Sequence, residues 1–198
     1  MTAGHVLLVP GSIRAGSLHR RLAAALAPLF EAHGLSVETV DLRDHPMPIY
    51  DGDAERELGP PAAAVELQAR VAAGDAVVFL TPEYNGGPSA LLKNAIDWVT
   101  RVERTTFRQP VIALAATSPG GRGAVNGLAV MRRIFDHMQL TVLDGDLSVP
   151  DGAAAFEVPA GAGDGPSTVR FARDHDRARA EQFVARFADL LAERSSIP

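Results

Sequence analysis

Short apolar, β-branched runs alternate with longer helical patterns from residue 6 to residue 194. The strand-like runs are Val6–Val9, Val37–Leu42, Ala76–Leu80, Val111–Ala115 and Thr141–Leu147. Helical periodicity marks Leu18–His33, Ala62–Ala73, Pro88–Arg101, Val125–Met138 and Asp174–Arg194. The first, third and fourth runs are almost continuously apolar, as a parallel strand covered by helices on both faces requires. Strand–helix–strand units of this kind cross over right-handedly and wind helices onto both sides of one sheet.

Five such units in 198 residues predict a single α/β domain over 1–198. Its sheet is expected to be flavodoxin-like: doubly wound, parallel, five-stranded, order 2-1-3-4-5. Ligands of such sheets sit beyond the carboxyl ends of the strands, where strand order reverses. That rule singles out three loops rich in Gly, Ser or Pro: Pro10–Ser17, Thr81–Gly87 and Thr117–Gly123. Tyr50–Pro61 reads as a surface excursion, and Pro159–Ser167 as a flexible connection to the last helix.

Composition excludes several functions. A net charge of −5 without basic runs argues against a nucleic-acid partner. With no cysteine there are no disulfides, thiolate nucleophiles or zinc-thiolate sites, which fits a reducing cytoplasm. The apolar run ending at Val9 is far shorter than the roughly 20 residues of a membrane helix, and its flanks do not suit a signal peptide. A soluble, cytoplasmic protein is therefore expected. No metal is expected either: the histidines lack ligand spacing, and Asp144-Gly145-Asp146 reads as solvated carboxylates at a turn. Asp174-His175-Asp176 suggests catalysis in isolation, but it opens the last helix and reads as a solvated N-terminal face. Phe171, Phe183 and Phe187 read as a core or contact face of that helix, and Trp98 as core or interface.

The first loop, Pro10-Gly11-Ser12-Ile13-Arg14-Ala15-Gly16-Ser17, leaves a buried strand and opens a helix. Helix N-termini present unpaired amides and partial positive charge, a setting that favours phosphate. Gly11 and Gly16 permit close backbone approach, Ser12 and Ser17 offer hydroxyls, and Arg14 offers a charge-assisted bond. The plain alternative is a strand–helix turn with Ser17 as N-cap. Neither a P-loop lysine nor a Gly-x-Gly-x-x-Gly pattern is present.

The second loop, Thr81-Pro82-Glu83-Tyr84-Asn85-Gly86-Gly87-Pro88, combines a flat ring, an amide and glycines that expose backbone groups. Such groups can match the alternating donors and acceptors of a flavin's pyrimidine edge. A simple turn with Asn85 in the left-handed region is the alternative.

Taken together, Gly11-Ser12-x-Arg14-x-x-Ser17, Pro82-Glu83-Tyr84-Asn85 and Leu92-Lys93-Asn94-Ala95-x-Asp97-Trp98 resemble the NAD(P)H-dependent FMN reductase family. This family includes quinone, chromate and azo reductases, and the resemblance runs from the first strand to about residue 150. It implies FMN as cofactor and NADPH or NADH as co-substrate. Gly11, Ser12, Arg14, Ser17, Leu18 and His19 would hold the phosphate end. Pro82, Glu83, Tyr84, Asn85, Gly86 and Gly87 would line the isoalloxazine, and Ser118, Gly120, Gly121 and Gly123 would supply a third flavin-side loop. Flavin N5 would carry hydride to a small acceptor (a quinone, azo compound, chromate or free flavin) in ping-pong order, so no protein residue need be catalytic. An electron carrier or flavin-dependent sensor is the alternative reading. The family also implies a homodimer or homotetramer, with the helix carrying Lys93-Asn94-Ala95 near the interface. Two positions depart from its pattern: His19 stands where Asn is usual, and Ser89 where a loop proline is frequent, one residue after Pro88.

Overall fold

A computed structural model describes residues 4–159 and 169–195. From the N-terminus run β1 (His5–Pro10), α1 (Leu18–Ala32) and β2 (Ser36–Thr39). Two helices, α2 (Gly52–Leu58) and α3 (Ala62–Ala73), lead into β3 (Ala76–Leu80). A hairpin of β4 (Glu83–Tyr84) and β5 (Gly87–Pro88) precedes α4 (Ala90–Val102), and a 3-10 turn at Thr106–Arg108 leads to β6 (Val111–Thr117). Then come α5 (Val125–His137), β7 (Leu147–Val149) and the single turn α6 (Gly152–Ala155). A second short pair, β8 (Phe156–Glu157) and β9 (Arg170–Phe171), precedes α7 (Asp174–Ser195).

The main sheet is parallel throughout, with order β2-β1-β3-β6-β7, the expected 2-1-3-4-5. Alternation along β1 explains the two cores. Val6 and Leu8 face one cluster with Leu22, Leu26 and Phe30 of α1 and Phe183 and Phe187 of α7. Leu7 and Val9 face the other, with Leu67 of α3, Leu92, Ile96 and Val99 of α4, and Met131 and Phe135 of α5. Both faces of every central strand are buried, which is why those runs carry no polar residue until their carboxyl ends. No helix among the described residues is long and apolar enough to cross a membrane.

Several expected boundaries shift. The apolar run Thr141–Leu147 predicts a fifth strand, but the sheet there begins at Leu147, preceded by an isolated bridge between Ile112 and Val142. Gly145 turns the chain between the two contacts with φ of 82°, and Arg186 lies against it, donating to its carbonyl at 3.1 Å. The second strand ends at Thr39 rather than Leu42, since Asp41 turns to accept from Arg20 and Arg43. Helix α4 starts at Ala90 rather than Pro88, capped by Ser89.

The excursion at Tyr50–Pro61 contains α2. Asp51 caps it, accepting from Asp53 N at 2.8 Å, yet the helix buries no residue and so leaves no apolar period to read. Phe171 belongs to β9 rather than to the final helix and packs on Phe156. The opening of the final helix is solvated only in part: Asp174 and His175 are exposed, but Asp176 is fully buried against Arg173. Asp146 is paired with Arg132 rather than solvated. Trp98 is core, its indole N–H donating to the Pro48 carbonyl at 2.7 Å. Of the connection at Pro159–Ser167, all but Pro159 lies outside the described residues.

Candidate functional site

The three loops meet at the carboxyl edge of the sheet, over the gap between β1, β3 and β6. They enclose a cleft of about 100 Å³ whose walls include Ser12, Arg14, Ser17, Leu18 and His19 from the first loop and helix α1. Pro82, Glu83 and Tyr84 come from the second loop, and Ser118 from the third. Gly11, Asn85, Gly86, Gly87, Gly120, Gly121 and Gly123 are not in the lining; they shape the loops behind it. Thr117 and Pro119, part of the third loop but not among its expected contact residues, complete the wall. A larger groove of about 790 Å³ lies elsewhere, between α4 and α5. It is an open helix–helix trough, and none of the three loops reaches it.

Ser17 serves as N-cap of α1, its hydroxyl accepting from Arg20 N at 3.4 Å. The first turn of α1 contains no acidic residue, so the dipole's positive end faces the cleft undiminished. Arg14 is exposed beside it. Gly11 accepts at its carbonyl from Ser89 Oγ at 2.6 Å, and Ser89 Oγ in turn accepts from Leu92 N at 3.2 Å. Ser89, which stands where the family frequently has proline, thus ties the first loop to the start of α4. A Cβ at Gly11 would stand 2.7 Å from Pro82 Cδ, so only glycine lets the two loops approach this closely.

His19 is almost completely buried. Its Nε2 accepts from Thr117 N at 3.4 Å, so the ring is neutral with its proton on Nδ1. Burial lowers its pKa to about 4, against an opposing hydrogen bond to the Thr81 backbone; the Arg14 charge lowers it further. His19 therefore joins the ends of β3 and β6 instead of presenting a cation to an anion.

The second loop is a hairpin in which Tyr84 pairs with Gly87. Asn85 and Gly86 occupy positive φ of 53° and 79°, the pattern of a type I′ turn. This holds Tyr84 with 56% of its surface exposed at the cleft's rim. The Glu83 carboxylate points away toward α5. It accepts from Asn126 N, Asn126 Nδ2 and Gly127 N, each at 3.0 Å, and these bonds hold its pKa below the usual carboxylate value. Residue Ala124, which precedes α5, has no capping side chain, so Glu83 satisfies that helix end from the neighbouring loop. Glu83→Ala is expected to destabilise the protein by about 2 kcal/mol, since these charge-assisted bonds are partly solvated. Urea unfolding of Glu83→Ala and Glu83→Gln tests this, and equal losses in both would show that the carboxylate charge contributes nothing.

In the third loop, Ser118 Oγ donates to Gly120 O at 2.9 Å. Gly120 has open space where a Cβ would lie. The Lys93-Asn94-Ala95-x-Asp97-Trp98 segment acts at a distance from the cleft. Asn94 accepts from Tyr50 N and donates to Pro48 O, both at 2.8 Å, while Lys93 pairs with Asp97.

The chain is similar to several oxidoreductases in sequence and fold. The chain is 29% identical over 184 residues to a quinone reductase of Pseudomonas putida, covering 92% of each protein. It is 32% identical over 154 residues to an NADPH azoreductase of a Bacillus species, covering 74% of this chain and 80% of that one. Among solved structures, the flavoenzyme NAD(P)H:(acceptor) oxidoreductase of Paracoccus denitrificans superposes with a TM-score of 0.78 at 26% identity, covering 96% of this chain and 98% of the other. The family model for NADPH-dependent FMN reductases matches residues 5–154, from the first strand to the turn behind the third loop, and the chain belongs to that family.

Proposed function

We propose that this protein binds FMN in the cleft between its three loops and passes hydride from NADPH or NADH to a small acceptor. The observation that carries the reading is the convergence of the three loops on one cleft at the strand-order reversal. The residues fit the group. Thr117 Oγ1 is buried in the cleft wall with no hydrogen-bond partner among the described residues, a polar atom awaiting a polar ligand. Ser12, Arg14 and the α1 N-terminus suit a phosphate. When bound, FMN supplies the hydride-accepting and hydride-donating centre.

The chain's own groups bind and orient. Arg14 and the first turn of α1 hold the phosphate end. The hairpin at Glu83–Gly87, with the Tyr84 ring, and the loop at Ser118–Gly121 would hold the isoalloxazine. Donors fixed there would favour negative charge on the bound cofactor. Nicotinamide cofactor and acceptor would use the same place in turn, which would give ping-pong kinetics. Quinones, azo compounds, chromate and free flavin all suit such an open site. We place the protein in the cytoplasm as a homodimer or homotetramer, with the α4–α5 groove and its Lys93–Asp97 pair at the subunit contact.

Purified protein is expected to be yellow, or to bind FMN in a titration. Arg14→Ala is expected to weaken FMN by about 1–2 kcal/mol, the value of a partly exposed charge-assisted bond. An unchanged dissociation constant would put the phosphate elsewhere. Steady-state NAD(P)H oxidation with a quinone tests the enzymatic step: negligible turnover by FMN-loaded protein would leave an electron carrier.

A further inference from the structure

Beyond residue 154, where the family match ends, the chain returns to the site through one arginine. Arg173 stands just before α7. Its Nε donates to Asp176 Oδ2 and its Nη2 to the Pro150 carbonyl, both at 2.6 Å, and Nη1 lies 3.7 Å from Asp151 Oδ2. Asp176 is completely buried, and its other oxygen has no hydrogen bond among the described residues; His175 Nε2 stands 3.4 Å from it. A buried carboxylate so placed fixes the guanidinium in one orientation, because moving it would leave the charge uncompensated.

What the guanidinium grips is the turn that backs the third loop. Asp151, held at φ of 51°, donates its N–H to Gly120 O at 3.1 Å, and Gly152 N donates to Ser118 O at 2.7 Å. A Cβ on Gly152 would stand 2.5 Å from Thr117 Oγ1 and 2.9 Å from Leu18 Cδ1, both residues of the cleft wall. Loop, turn and arginine form one connected chain of contacts from the cleft to α7.

We propose that Arg173, oriented by Asp176, is a positioning residue for the cofactor loop: it clamps Pro150–Gly152 and so sets where Ser118–Gly121 stand. The proposal rests on the reading of the cleft as the FMN site. Lysine at 173 keeps the charge opposite Asp176, but one ammonium cannot reproduce a planar fork reaching both Asp176 and Pro150. The pair of substitutions Arg173→Met with Asp176→Leu removes the clamp without stranding a buried charge.

Both variants are measured for FMN dissociation constant, visible flavin spectrum, KM against kcat, and amide exchange of peptides covering 116–123 and 148–155. The expected result is FMN binding weakened about tenfold, with altered flavin bands and faster exchange confined to those peptides. Unchanged affinity, spectrum and exchange in a folded variant would overturn the proposal, as would a lowered melting temperature with unaltered flavin properties. Should Arg173→Lys not fold, the double variant decides by the same criteria. Wild-type protein that binds no FMN would refute the cofactor reading alone; the exchange comparison would still decide whether Arg173 holds the loop.

Discussion

Acidification from pH 7 to pH 4 is expected to cost the fold about 3 kcal/mol through His19 alone, at about 1.4 kcal/mol per unit of pKa shift. The unfolded imidazole titrates at 6.5, whereas burial holds the folded one near 4. Between those values the unfolded chain binds a proton that the folded chain does not, so stability rises with pH across the window. Above pH 6.5 both states are neutral, and below pH 4 both are charged; the dependence ends at each limit. Protonation also removes the acceptor for Thr117 N, loosening the junction of β3 and β6 under the cleft.

The carboxylates act lower. Asp41, held at about 2 mainly by its hydrogen bond from Arg43, gives up its contribution only as pH falls below its ordinary value of 3.8. The measurement is therefore denaturant unfolding at pH 7, 6, 5 and 4.5 for wild type and His19→Gln. Glutamine keeps an acceptor but cannot titrate. The difference between the two should shrink or change sign by about 2.5 kcal/mol by pH 4.5. Parallel curves would mean that His19 ionises in the folded protein as freely as in solution. FMN affinity is expected to fall with it in the wild type alone.

Where the sequence spoke in continuous apolar runs, it was legible. Residues Val6–Val9, Ala76–Leu80 and Val111–Ala115 could only be central strands, and the order of the sheet followed from their connections. Helix α2 escaped notice because it buries nothing: its capping aspartate and Gly59 at its end were visible, but no hydrophobic period supported them. The fifth strand is hard to place because Val142 and Leu143 are as apolar as a strand, while the turn at Gly145 is held by Arg186, 41 residues on. In the site, chain position put Ser12, Arg14, Ser17, Tyr84 and Ser118 around one cleft, since strand ends are fixed by topology. The jobs of His19, Glu83 and Ser89 were not legible. Each is set by a partner on another loop: the Thr117 amide, the end of α5, and the Gly11 carbonyl. Phosphate-loop chemistry follows from residue type; residue type does not show the burial of His19 in the cleft wall, which depends on two strands that meet only in the fold.

Gly123→Ala is expected to cost about 4 kcal/mol, the largest effect of any single methyl group added at the site, combining left-handed strain with overpacking. Gly123 ends the third loop at φ of 59°, which glycine adopts freely and alanine does not. The added Cβ would stand 2.1 Å from Ser148 Oγ, 3.1 Å from Pro150 N and 3.3 Å from the Val149 carbonyl carbon. The serine hydroxyl could rotate, but only by giving up its bond to Gly123 O, and the other two atoms are backbone of the strand end that Arg173 grips. Relief must come from the loop moving off β7, which carries Ser118–Gly121 away from the cleft. Thermal unfolding should fall by about 8–16 °C, given roughly 2–4 °C per kcal/mol for a chain of this size. Gly120→Ala is the control: nothing lies within 4 Å of its added methyl, and it should unfold as the wild type does. If both variants melt together, the loop is not seated on β7, and the close contacts at Gly123 do not restrain it. If Gly123→Ala alone falls and its FMN affinity falls with it, the rigidity of this loop is a requirement for holding the cofactor, and glycine at 123 is the residue that permits it.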